Sequence, residues 1–145
     1  MEGAPKIRFF ECCKKAISDF KDYNGRSRRC EFWFWILGVD ICTLILCLLL
    51  LILIKIPVLD IIGYIIAILY SGAVFAITLP LSIRRLHDIG KSGWFILIGV
   101  IPIIGTIILF ILFCFDSQRQ VNQYGQSPKY YVSTPSSITS YQEII

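Results

Sequence analysis

From Trp94 to Phe115 the sequence contains no acid and no base, and from Phe32 to Ile83 it contains only Asp40, Lys55 and Asp60. Charged residues make up 17% of the chain, against about a quarter in an ordinary soluble domain. Uncharged apolar runs of about 18 residues or more read as transmembrane helices. They are not buried core helices, because so short a chain has too little polar surface to cover three of them. Histidine occurs once, at His87, which excludes a metal centre built on several imidazoles. The six cysteines show no metal-ligand spacing and suggest no disulfide framework. Glycine-rich phosphate loops, nucleophile elbows and metal triads are also missing. The sequence therefore leads us to expect no catalytic residues, no metal and no cofactor.

What is present is an all-α integral membrane protein, expected as three transmembrane helices preceded by an amphipathic interfacial helix. The spans fall at about residues 32–54, 58–83 and 94–115. The first matches the ~17–25 residues that cross a bilayer, and the second needs some tilt. The first is expected to be retained rather than cleaved as a secretory signal, because a long segment precedes it. Residues 1–129 form a single membrane domain on this reading, and residues 130–145 form a polar, flexible tail.

Lys and Arg accumulate in cytoplasmic loops. Lys6, Arg8, Lys14, Lys15, Lys21, Arg26, Arg28 and Arg29 precede the first span, whereas the first connection offers only Lys55. The second connection offers Arg84, Arg85 and Lys91. This asymmetry places the N-terminus and the second connection in the cytoplasm, and three spans then place the tail outside. The net charge of +4 gathers at helix ends, where bases meet anionic head groups at ~1 kcal/mol per residue. No nucleic-acid motif accompanies it.

Ahead of the first span, Phe10, Cys13, Ile17 and Phe20 share one helical face, and Arg8, Glu11, Lys15, Asp19 and Asp22 fall largely on another. The spacing predicts an amphipathic helix over residues 6–23, lying in the membrane interface or packed on the protein's own loops. Asn24 and Gly25 suit the left-handed conformation that ends a helix. Ser27 then caps the next helix, and Phe32, Trp33, Phe34 and Trp35 meet the membrane boundary.

The stretch "RRLHDIGKSGW", residues 84–94, concentrates polar chemistry between two greasy runs. It shares Gly, a base, Ser and an aromatic pair with "GRSRRCEFWFW". In both, Gly permits the turn, Ser caps, the base stays at the head groups and Trp anchors. If the second helix closes at Gly90, Arg84 and Asp88 form an i,i+4 pair and Arg85 is left for lipid phosphate or for Glu31. We expect Arg26, Arg29, Glu31, Arg84, Arg85, His87, Asp88, Lys91 and Trp94 to form one cytoplasmic platform, with His87 packed between aromatic rings. A structural clamp or lipid anchor ranks first for this platform and a partner-binding surface second. Catalysis by His87 and Asp88 ranks last, although histidine titrates near neutrality.

Asp40 lies more than two turns inside the first span, where an acid costs ~2.5–3.5 kcal/mol on insertion scales and normally faces a bundle interior. It reads as a structural acid bonded to Tyr64, Ser71, Thr78 or Ser82, or else as a proton or cation relay. Pro80 and Pro102 are expected to kink their helices.

"YNGRSRRCEFWFW", "RRLHDIGKSGWF", "IPIIG" and "NQYGQSP" occur in this order. Together they resemble the successive signatures of the bacterial inner-membrane family called domain of unknown function 805, the YhaH-like proteins. The likeness covers roughly residues 17 to 129. It implies a small multi-span protein of the cytoplasmic membrane and implies no activity. The sequence departs from the pattern at "DSQRQV", where family members usually carry glycines. The function expected is a non-enzymatic module that binds anionic lipid and a membrane protein partner or itself. The alternative is a transporter or channel component built around Asp40.

Overall fold

The computed structural model describes residues 8–53 and 57–130. Their helices run in the order α1 (Phe9–Ser18), α2 (Arg29–Leu53), α3 (Pro57–Asp88), a 3₁₀ helix (Gly93–Val100) and α4 (Ile104–Cys114). Of the tail expected at residues 130–145, residues 131–145, like Lys55, lie outside the described residues.

α1 is shorter than the expected 6–23. Its backbone is contested at Ser18, whose Oγ donates to the Lys15 carbonyl and to Asp19, and Asp22 then accepts from the Asn24 N–H. Such short polar side chains offer the backbone partners outside a helix. Gly25, at φ +84°, shapes the loop that follows rather than ending α1. The inner face of α1 buries Cys12 and Ala16, while Phe10 and Ile17 are exposed. Phe9 meets Phe34 edge to face and lies against Gly38, so α1 runs beside the opening turns of α2.

The cap of α2 differs from expectation. Glu31 reaches back to the Arg28 N–H at 3.4 Å, and the Ser27 hydroxyl donates to that same carboxylate at 2.7 Å. α2 and α3 join through Trp35 Nε1–H, which donates to Thr78 Oγ1, and through Tyr70, which donates to the Val39 carbonyl. α3 has 32 residues and is about 48 Å long at ~1.5 Å per residue, well beyond the ~30 Å hydrocarbon core. It passes through the buried Pro80 and carries Arg84, Arg85, His87 and Asp88 on its final turns. Gly90 closes it at φ +73°. Its N–H meets the His87 carbonyl and the Lys91 N–H meets the Leu86 carbonyl, the paired bonds of a Schellman ending.

The third apolar run is not one helix. Ser92 caps the 3₁₀ helix through the Trp94 N–H, and the chain then reverses at Pro102–Ile103. There the Ile104 N–H bonds the Pro102 carbonyl across Ile103, which holds φ +65°, a γ-turn of the rare, strained hand. Pro102 thus sits at a reversal rather than a kink. The two arms cross closely. A Cβ on Gly105 would collide with the Ile98 carbonyl oxygen, and one on Gly99 would come within 2.8 Å of Leu109.

Both ends of this hairpin lie at the same end of α3. Gly93 abuts Ile83 and His87 at its start, and the Phe113 and Phe115 carbonyls accept from Arg85 at its finish. Residues 116–127 therefore lie beside Arg26 and Asp88. The third run, expected as one spanning helix, instead forms two arms whose far ends return to the same end of α3. The buried core, Ala16, Phe32, Trp35, Leu81, Leu86, Ile89, Leu109 and Phe113, is confined to that one end.

Candidate functional site

Asp88 stands at the centre of the charged end and is fully buried. Its Oδ1 accepts from Arg26 Nε at 3.0 Å and its Oδ2 from Arg85 at 2.6 Å, and the Ser117 hydroxyl also donates to Oδ2. Arg26 continues outward from this carboxylate, donating to the carbonyls of Asp88, Gln118, Gln120 and Gly125. Arg85 donates to the carbonyls of Phe113 and Phe115. Four segments thus meet on one buried acid: the loop before α2, the end of α3, the end of α4 and the residues after it.

Only a guanidinium offers this fork of fixed donors, and a lysine would lose the simultaneous carbonyl bonds. Two burials compensate each other here. Taking ions out of water is costly, and removing one partner of a buried pair leaves the other uncompensated.

The other expected platform residues surround this centre, with different partners from those foreseen. Asp88 pairs with Arg85 at i,i+3 instead of Arg84 at i,i+4. Arg84 is turned toward α1 and bonds Asp19 at 3.2 Å. Glu31, buried, pairs with Lys15 at 2.8 Å, so it is not a partner of Arg85. Arg29 bonds Asp116 and the Cys114 carbonyl at the rim. His87 Nδ1 lies 3.3 Å from the Gly25 carbonyl, and among the described residues its ring stacks on one aromatic ring, Tyr124 at 3.6 Å, rather than between two. Lys91 and Trp94 are exposed at the edge, Lys91 over the Phe95 ring.

Sequence reasoning missed the contribution of the residues after α4. Ser117, Gln118, Asn122 and Tyr124 close the clamp, with Asn122 donating to the His87 carbonyl. The available signal was the polar stretch "DSQRQVNQYGQSP" that follows the third apolar run. Asp116 is gripped there as well. Its partial burial opposes ionisation, but bonds from Lys129, the Ser117 N–H and Tyr130, with Arg29 nearby, outweigh that and hold its carboxyl at about 2. On α1, burial, reinforced by the neighbouring Cys30 and Glu31, pushes the Cys12 thiol up to about 11.

Asp40 is not in a bundle interior. It is exposed on α2, and no hydrogen bond to it is seen among the described residues. Thr78 and Ser82, two of its expected partners, serve Trp35 and the α3 backbone instead. A groove of about 450 Å³ runs between α2 and α3, lined by Thr43, Leu50, Tyr70 and Phe75 among others, and none of the clamp residues lines it.

Residues 20–126 match the family described as "Protein of unknown function (DUF805)". The chain is 35% identical over 115 residues to "Inner membrane protein YhaI" of Escherichia coli (strain K12), covering 79% of this chain and 92% of that one. It is 31% identical over 122 residues to "Inner membrane protein YhaH" of the same strain, covering 79% and 93%. No solved structure matches. The matched span contains the whole clamp and begins just after α1.

Proposed function

The chain belongs to this family of membrane proteins of unknown function, and from that premise we propose that it is a non-enzymatic membrane module that binds anionic lipid at its charged end. The observation that carries the reading is how the polar groups are used. Asp88 and Arg85 are completely buried; Asp88 spends its oxygens on Arg85, Arg26 and Ser117, and Arg85 spends its donors on Asp88 and backbone carbonyls. A general acid or base needs hydrogen-bond reach to a substrate proton, and Asp88 has no face left for one. The motif therefore serves as a scaffold, and binding falls to the surface around it.

That surface has the composition of a membrane interface. α1 exposes Phe10 and Ile17 beside Lys14, and Phe20 and Lys21 follow just after it, which suits a helix lying among head groups. Lys91 and Trp94 occupy the corresponding position at the start of the hairpin. The Lys/Arg asymmetry of the loops supports a cytoplasmic location for this end. α2 and α3 then cross the bilayer, and the hairpin dips into it and returns.

The test is native mass spectrometry of the full chain released from membranes. Retained phosphatidylglycerol is expected, with retention reduced when Lys14, Lys21 and Lys91 are together replaced by glutamine. Equal retention of anionic and zwitterionic lipid, unaffected by those changes, would overturn the reading.

A second reading rests on Asp40. An exposed acid on a span favours a neighbour that covers it, which is the arrangement an oligomeric transporter or channel component requires. Ion flux in proteoliposomes, lost in Asp40→Asn, would favour it.

A further inference from the structure

The helices are distributed unequally along the molecule. Among the described residues, half of its length contains only α2 and α3, in contact with each other through Leu50 and Gly63 and exposed elsewhere, as at Leu48, Leu51, Ile65 and Leu69. Only residues 54–56 separate these two helices. The other half adds the 3₁₀ helix and α4, with α1 laid against α2. Every buried apolar residue of the core belongs to this crowded half.

The hairpin has the dimensions of a single leaflet. Its 3₁₀ arm of 8 residues is about 16 Å long at ~2 Å per residue. Its α4 arm of 11 residues is about 16 Å long at ~1.5 Å per residue. Each is roughly half of a ~30 Å hydrocarbon core. Val100, Ile103, Ile104 and Phe110 point outward from it, all more than half exposed, so its sides and tip are suited to acyl chains. Irregular backbone at that depth requires internal hydrogen bonds. Around the tip the N–H groups of Ile101, Ile104, Gly105 and Ile107 all bond carbonyls of the hairpin itself.

The hairpin is also fixed in place. Phe113 packs on Phe32 with ring centroids 4.5 Å apart and Phe110 on Trp33 at 5.3 Å, and Arg85 grips the carbonyls where α4 ends. A loosely attached hairpin would yield to lipid pressure, whereas one tied at the sides and the base imposes its shape.

We propose that this protein is a rigid one-leaflet wedge that recognises membrane shape. Its partner is a bilayer whose leaflet on the clamp side is stretched by positive curvature. The cross-section there is roughly double that of the opposite leaflet, four helical rods of ~10 Å diameter against two. Inserting it into a flat bilayer crowds one leaflet, and a leaflet already expanded by curvature relieves that crowding. Sensitivity of one-sided insertions to curvature is a general property of the interface. The inference rests on the two-span topology argued above, and is independent of which head groups are bound.

The test uses the full-length protein, labelled at its C-terminus, at low density in giant vesicles of phosphatidylcholine and phosphatidylglycerol from which narrow tubes are drawn. Molecules with the clamp in the outer leaflet are expected to be enriched in the tube over the flat membrane, a ratio above one. Molecules in the reverse orientation are expected to be depleted, a ratio below one. A ratio of one in both orientations, or the same bias in both, overturns the wedge. The comparison needs no variant, so a misfolded mutant cannot obscure it. Protease protection of tags at the two ends separates the causes. Tags on the same face with unbiased sorting overturn the wedge alone, and tags on opposite faces overturn the topology beneath it.

Discussion

Arg26 and Asp88 are 62 positions apart in the chain and 3.0 Å apart in the fold, with side chains 1% and 0% exposed. This ion pair joins the approach to α2 with the last residue of α3, and it fixes the distance between the two long apolar helices at that end.

Its loss should therefore be felt as instability. Asp88→Ala leaves two guanidiniums buried without their acid, and a loss of about 3–5 kcal/mol is expected from removing one side of a buried pair. Arg26→Lys and Arg85→Lys should also destabilise, because neither lysine can span the carboxylate and the carbonyls together. Thermal unfolding in detergent followed by size-exclusion chromatography measures this. A melting temperature unchanged in all three variants would remove the clamp as a structural element.

The pairing of Glu31 gives a charge-swap test. Lys15→Glu should destabilise, and adding Glu31→Lys should recover part of the loss, since these two residues touch at 2.8 Å. Combining Glu31→Arg with Arg85→Glu should recover nothing.

The γ-turn predicts a stabilising change. Ile103 holds a φ of +65° that glycine adopts freely, and strain of about 1–3 kcal/mol is typical of a non-glycine residue in such a region. Ile103→Gly should raise the melting temperature. Gly105→Ala should lower it, because the added methyl meets the Ile98 carbonyl. Opposite signs for two neighbouring substitutions would be difficult to obtain from a continuous spanning helix.

Acid should loosen the segment after α4. Asp116 is held at about 2, below its ordinary 3.8. A carboxyl depressed by folding contributes stability that is complete above its unfolded pKa and fades as pH falls through the folded one. The contacts of Lys129 and Tyr130 with Asp116 should therefore persist above about pH 4 and be lost between about 4 and 2. Hydrogen exchange at residues 116–130 follows this directly, and Asp116→Asn should exchange at neutral pH as the parent does in acid.

Tyr124 supplies the final test of the clamp. Tyr124→Ala removes the ring stacked on His87, worth about 0.5–1.5 kcal/mol beyond its area, and should speed proteolytic cleavage between residues 116 and 130. Tyr124→Phe keeps the stack and should cleave like the parent.

Much of this architecture was legible in the residues. α2 and α3 follow from the uncharged runs, and Gly90 ends α3 because a left-handed position was needed there. The hairpin was not legible, because a run of uncharged residues has the same composition whether it crosses a bilayer or turns halfway. The reversal depends on a backbone conformation at Ile103 that isoleucine does not advertise. Partner choice was equally hidden. Arg84 and Arg85 are adjacent letters, and only the packing of α3 decides that one faces Asp19 just after α1 while the other faces Asp88 and the end of α4. Asp40 was assigned to an interior by a rule that assumes a bundle all the way along, whereas among the described residues only α2 and α3 continue past its level.

Ser117 and Gln118 have a consequence for the order of synthesis. The Arg26 guanidinium finds three of its four carbonyl acceptors at Gln118, Gln120 and Gly125, and Asp88 receives its hydroxyl from Ser117. A ribosome delivers these residues only after α2, α3 and the hairpin have left it. Until then the nascent chain carries a half-satisfied ion pair, and residues 117–125 act as the keystone. A message truncated before codon 117 would yield a polypeptide with all its greasy segments and no means of closing them, a natural substrate for membrane proteases.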